Sequence, residues 1–169
     1  MFRRKRVLRN WQVYTDGAIR PEAGLSGLSA VVYDERGTIA LWWYQAAERL
    51  TCNEAEYRAA IFALGQLLPF RPLSLSILSD SQVMVRQMRG EAAVRSPALR
   101  LLHQTLRGLV AQFEAVTFCH ISREQNRVAD ALAYEAIARE MAAHAQMAKG
   151  GKELQCAKKQ DTAVSVSGR

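Results

Sequence analysis

Cysteine is scarce: three in 169 residues, at positions 52, 119 and 156. An odd number so widely spaced argues against a disulfide framework and a cysteine-based zinc site, and it fits a reducing compartment. Long apolar runs are absent too, since none approaches the roughly 18 residues that span a bilayer. The stretch Met1–Asn10 is basic but no apolar segment follows it, so no secretory signal is expected. Hydrophobic residues at 49% and charged residues at 23% are ordinary for a globular chain, and 169 residues suit one well-buried core. The expectation is a soluble, cytoplasmic, monomeric single-domain protein with no membrane partner.

The net charge of +7 is unevenly spread. Arg3, Arg4, Lys5, Arg6 and Arg9 crowd the first ten residues with no acid among them. Lys149, Lys152, Lys158, Lys159 and Arg169 outnumber Glu153 and Asp161 in the last 29 residues, 141–169. The stretch between holds 13 basic and 14 acidic side chains and is close to neutral. Basic arms can attract phosphate without reading sequence, or serve only as solubilising tails.

Hydrophobic period divides the remainder. Trp11–Asp16 is β-rich and Asp16-Gly17 reads as a closing turn, followed by a loop over Ala18–Gly27. Leu28–Tyr33 and Thr38–Tyr44 flank Asp34-Glu35-Arg36-Gly37 as a hairpin, with Gly37 in the position that needs positive φ. From Asn53, the residues Tyr57, Ala60, Ile61, Leu64 and Leu68 recur at helical spacing until Pro69 and Pro72. Leu73, Leu75 and Ile77 alternate with serines in a fourth strand ending at Ser79-Asp80. A short helix over Ser81–Arg89 stops at Gly90. Ser96-Pro97 starts a longer helix, Val116–Cys119 is a fifth strand, and a final helix begins near Asn126. Past about Ala142 the composition turns polar and small, and disorder is expected. Three regions follow: a basic arm over 1–10, a folded domain over 11–142 and a basic tail over 143–169. In Trp42-Trp43-Tyr44 adjacent rings must point to opposite faces, one toward the core and the other toward helix cover.

Four carboxylates fall at element ends, and taken singly each has an ordinary explanation. Asp16-Gly17 makes a turn, and Asn53 with Glu56 three residues on makes a capping box. Asp80 can cap the helix that follows it, and Asp130 suits the first turn of a helix. Their surrounding words, in order, are more specific: Tyr14-Thr15-Asp16-Gly17-Ala18, Thr51-Cys52-Asn53-Glu54-Ala55-Glu56-Tyr57, Ser79-Asp80-Ser81-Gln82 and Arg123 to Ala133 around Asn126 and Asp130. Together they resemble type I ribonuclease H from about Trp11 to Glu140.

The resemblance implies an α/β, ribonuclease H-like architecture: a five-stranded mixed sheet, three antiparallel strands then two parallel, with helices on both faces. It implies that Asp16, Glu56, Asp80 and Asp130 converge as catalytic metal ligands. Hard oxygen donors without histidine or cysteine select Mg²⁺ or Mn²⁺, two ions per site with substrate in this family. The implied activity is hydrolysis of RNA paired with DNA, with Asp16 bridging the ions. Among substrate contacts it implies Gly17, Thr51 at a DNA phosphate, Cys52, Asn53, Gln82 and Asn126. Cys52 departs from the family, which usually has an asparagine there. His120, ten residues before Asp130, has the spacing of a mobile family histidine that assists proton transfer or product release; it can also simply end the fifth strand. Arg123 is the second basic group in that region. The chain lacks the basic handle helix of some relatives. A nuclease acting on double-stranded RNA or DNA, and a non-catalytic hybrid-binding module, stand as alternatives.

Overall fold

The computed structural model describes residues 10–164, with side chains described as far as residue 147. Its elements run β1 (Asn10–Arg20), β2 (Leu25–Tyr33), β3 (Ile39–Glu48), α1 (Cys52–Leu67), β4 (Ser74–Ser79), α2 (Gln82–Met88), α3 (Pro97–Val110), β5 (Val116–His120) and α4 (Arg127–Val164). The sheet order is β3-β2-β1-β4-β5. The first three strands pair antiparallel, whereas β1–β4 and β4–β5 pair parallel, as the resemblance implies.

Alternation along β1 sorts its side chains between two layers. Trp11 and Val13 join Val32, Tyr57, Leu64, Leu67, Leu75, Ile77 and Leu106 in the main core, which lies against α1 and α3. Ala18 instead meets Ala133 and Ile137 of α4 in a smaller cluster on the opposite face. Contact there is close, because a Cβ on Gly27 of β2 would run into the Ala133 carbonyl. Trp43 points inward and stacks at a tilt on Phe70, 6.2 Å between ring centroids. Trp42, on the other face, has no full helix cover and is 59% exposed.

Several boundaries differ from the sequence reading: the expected loop over Ala18–Gly27 is mostly strand, since β1 runs to Arg20 and β2 begins at Leu25, and β3 continues past Tyr44 to Glu48. Asp16-Gly17 does not end β1, because Asp16–Arg20 continue in register with Ser29–Leu25 and the reversal comes at Pro21–Gly24. Gly17 serves packing instead of a turn: a Cβ there would collide with the backbone of Ala55 on α1. The capping box of α1 uses Thr51 and Glu54, not Asn53 and Glu56. Finally, α4 does not stop near Ala142 but continues to Val164. Its alanines, glutamines and lysines are strong helix formers, so low hydrophobicity alone does not end the helix. The chain divides into two compact units between Ile137 and Ala138, and within the second His144 pairs with Glu140 one turn earlier at 3.0 Å. Residues 1–9 of the basic arm lie outside the described residues. Among those that are described, no helix is long and apolar enough to cross a membrane.

Candidate active site

The site forms where β4 stops beside β1. Tyr14 pairs with Leu78 in the parallel ladder, so Asp16 and Asp80, each two residues further on, emerge side by side. α1 brings the third acid. Thr51 caps this helix: its hydroxyl accepts from the Glu54 amide at 3.4 Å, and Glu54 Oε2 accepts from the Thr51 amide at 2.8 Å. With Glu54 occupied by the cap, Glu56 lies beyond the first turn and turns to the strands, where Ser79 Oγ donates to its Oε2 at 3.2 Å. Carboxylate oxygens of Asp16, Glu56 and Asp80 all lie within 4.8 Å of one another.

Such crowding has an electrostatic cost. Asp16 is 4% exposed, and burial, followed by repulsion from Asp80 and Asp130, raises its pKa to about 7. Burial and then the charges of Asp16 and Asp80 raise Glu56 to about 8, against donors from Ser79 and the Gly17 backbone. Near neutrality both carboxyls resist full ionisation, a state that a bound cation would reverse. The donor set is all oxygen, compact and free of histidine and cysteine, so these residues fit a hard divalent ion.

The fourth acid stands slightly apart. Asp130 is half-buried in the first turn of α4 and pairs with Arg123 at 3.5 Å. It lies outside the compact group of three, although its charge reaches Asp16. His120 is the last residue of β5, exposed, with its ring Nε2 3.2 Å from the Asp80 carbonyl. It therefore occupies a strand end and not the following loop, and Arg123 is the basic side chain that reaches an acid of the site.

Of the expected substrate contacts, Thr51, Cys52 and Asn53 are exposed at the start of α1, and Gln82 is exposed at the start of α2. They occupy the two helix starts that border the acids. Gly17 lies beside Asp16, facing α1. Asn126 is a correction. It is fully buried, and its Nδ2 donates to the Thr15 carbonyl at 3.0 Å and to one carboxylate oxygen each of Asp16 and Asp80 at 3.1 Å. Burial keeps it from a substrate on the surface. Sequence reasoning also missed Ser79, whose hydroxyl holds Glu56 while accepting from the Ser81 amide at 3.1 Å. Its place at the end of β4, one residue before Asp80, was the available signal.

Comparison with known proteins places this geometry among relatives. The family model described as reverse transcriptase-like matches residues 14–136. A bifunctional protein of Mycobacterium tuberculosis is 33% identical over 141 residues, which cover 81% of this chain and 39% of that protein. The chain thus spans well under half the length of this relative. The crystal structure of RNase H1 from the archaeon Halobacterium salinarum superposes with a TM-score of 0.73 at 32% identity, covering 77% of this chain and 98% of the other. LC11-RNase H1, isolated from compost and solved in complex with an RNA/DNA hybrid, gives a TM-score of 0.73 at 32% identity over 78% of this chain and 99% of its own.

Proposed function

This chain belongs to the reverse transcriptase-like family and has the type I ribonuclease H fold, and from that premise we propose that it is an endoribonuclease that cuts the RNA strand of RNA–DNA hybrids with Mg²⁺ or Mn²⁺. One observation carries the reading: Asp16, Glu56 and Asp80 present oxygens within 4.8 Å of one another, bordered by the helix starts that bear Thr51, Asn53 and Gln82. The hybrid bound by LC11-RNase H1 supports the choice of substrate.

In this proposal Asp16, Glu56, Asp80 and Asp130 would hold the divalent ions, with Asp16 as the central ligand. Bound there, a hard divalent cation would supply Lewis acidity for attack by water and departure of the 3′ oxygen. The chain's own residues do the rest. Asp16 and Asp80 face the scissile phosphate from two strands, and Glu56 and Asp130 flank them from two helices. Hydrolysis joins a water oxygen to phosphorus and breaks the bond to the 3′ oxygen, so the products carry a 5′-phosphate and a 3′-hydroxyl. Arg123, paired with Asp130, and His120, against the Asp80 carbonyl, are the basic groups positioned to aid proton transfer or product release. Asn53 and Gln82 serve the hybrid's minor groove, where a 2′-hydroxyl distinguishes RNA from DNA. Thr51 serves a DNA phosphate, Gly17 offers its backbone beside Asp16, and Cys52 is a weak contact where an amide is usual. The basic ends add non-specific phosphate attraction. We take the chain to work as a monomer in a reducing cytoplasm, where Cys52 and Cys119, the free cysteines among the described residues, stay reduced.

Labelled RNA–DNA, RNA–RNA and DNA–DNA duplexes, each incubated with the protein and Mg²⁺ or Mn²⁺, test the reading. Cleavage confined to the RNA strand of the hybrid is expected. Preferred cleavage of either other duplex, or binding of hybrid with no cleavage, overturns it.

A further inference from the structure

Asn126 stands immediately before α4, where an asparagine ordinarily offers its side-chain oxygen to the free amides of the first helical turn. This one does not. Its Oδ1 is buried and accepts no hydrogen bond from any of the described residues, so the side chain forgoes the cap. The Nδ2 faces three oxygens: the Thr15 carbonyl at 3.0 Å, Asp16 Oδ1 at 3.1 Å and Asp80 Oδ1 at 3.1 Å. All three are acceptors, so the amide has one sensible orientation; reversed, it would set oxygen against three oxygens. Meanwhile the Asn126 backbone carbonyl accepts from the amide of Asp130 at 3.0 Å. One buried residue therefore ties together β1, the end of β4 and the helical turn that carries the fourth acid.

We infer that Asn126 is a positioning residue of the metal site, its single amide holding Asp16 and Asp80 at ligating separation while its backbone fixes Asp130 beside them. The inference rests on the reading of these acids as metal ligands. Two carboxylates of like charge repel and would swing apart without a donor between them. Asn126 supplies that donor without adding charge. A substrate-binding role conflicts with its complete burial, and a side-chain capping role conflicts with the unpartnered Oδ1. Groups that orient metal ligands from behind typically contribute roughly 10–100-fold to metal affinity or activity.

The test compares the full-length wild type with Asn126→Ala and Asn126→Ser, measuring Mn²⁺ binding by calorimetry without nucleic acid and then steady-state cleavage of hybrid. Serine retains a helix-capping hydroxyl but not the amide donor. Both variants are expected to bind Mn²⁺ roughly 10–100-fold more weakly and to lose kcat by a similar factor. Their KM for hybrid should stay within about twofold of wild type. Wild-type Mn²⁺ affinity and turnover in Asn126→Ser would reduce the residue to a helix cap. A raised KM with kcat and Mn²⁺ affinity intact would make it a substrate contact; either result overturns the inference. Should the variants fail to fold, the wild-type side-chain amide resonance of Asn126 decides the matter. It should exchange slowly with solvent and shift when Mg²⁺ is titrated, and rapid exchange without a Mg²⁺ response overturns the inference. If the wild type binds Mn²⁺ but cleaves no duplex, the nuclease reading fails while the Mn²⁺ comparison still decides the role of Asn126. If it binds no Mn²⁺, both fail.

Discussion

The starts of α1 and α4 border the same acids, and they use their polar residues in opposite ways. At α1 the cap is entirely local: Thr51 and Glu54 satisfy each other across three residues, which leaves Glu56 free to face the strands. At α4 the asparagine before the helix leaves its own cap unmade and reaches 110 residues back to Asp16 and 46 back to Asp80. One helix start makes itself stable so that an acid can be presented. The other gives up local stabilisation to hold acids that belong to other elements. Local disregard of a cap in favour of a long-range polar contact is a mark of a functional site.

Both helix starts matter only if the acids they border are indispensable. Asp16→Asn should lower kcat on hybrid by on the order of a thousandfold or more, with the fold intact by circular dichroism, because an amide of similar shape is a poor metal ligand. Turnover close to wild type would remove the reason for either helix start to be as it is.

Backbone approach comes next. Gly27→Ala should destabilise the protein by several kcal/mol in urea titration, since its Cβ meets the Ala133 carbonyl, backbone that cannot give way as a flexible side chain would. Gly17→Ala meets the backbone of Ala55 in the same way and should in addition displace Glu56, the neighbour of Ala55. An unchanged urea midpoint in both would mean that α1 and α4 sit further from the sheet than described.

A smaller effect tests the electrostatics. Asp16 and Glu56 have folded pKa values of about 7 and about 8, above their ordinary 3.8 and 4.5. The folded state therefore binds more protons than the unfolded state between those limits, so stability falls as pH rises through that window. Thermal melts in chelator should show a lower Tm at pH 8 than at pH 5.5, and Glu56→Gln should flatten the difference. Mg²⁺ should restore most of the Tm lost at pH 8. A wild-type profile as flat as that of Glu56→Gln would contradict the crowding of the acids.

The smallest change sharpens the contrast between the helix starts. Glu54→Ala removes half of the α1 capping box and should cost about 1 kcal/mol or less, with kcat on hybrid unchanged. Loss of kcat beyond what the fraction unfolded explains would show that the α1 cap, like Asn126, is coupled to the acids.

Much of this organisation was legible in the sequence because it depends on local pattern. The switch from alternating to helical period marked the strands and α1, Gly37 adopts the positive φ its hairpin requires, and Ser96-Pro97 caps α3 as its residues suggest. Three of the four acid-bearing words carry the acids that the fold brings together, Asp16, Glu56 and Asp80. What escaped was set by contacts between distant elements. Gly17 resembles a turn residue until α1 is laid over it, and Thr51 competes with Asn53 for the cap in a run where both are good capping residues. Asn126 reads as a substrate contact at the start of the last helix, and only the approach of β1 and β4 turns it inward. The exposure of Trp42 has the same origin, since alternation shows that it opposes Trp43 but not how far α4 extends over that face.

The proposed activity of this acidic site is hydrolysis of RNA with divalent ions. The most direct measurement is end-group analysis of the RNA released from a hybrid by the wild-type chain, with Mg²⁺ or Mn²⁺ and again in excess chelator. Ends bearing 5′-phosphate and 3′-hydroxyl are expected with metal, and no cleavage without it. Undiminished cleavage in chelator, or 2′,3′-cyclic phosphate ends that arise from attack by the RNA's own 2′-hydroxyl, would contradict it.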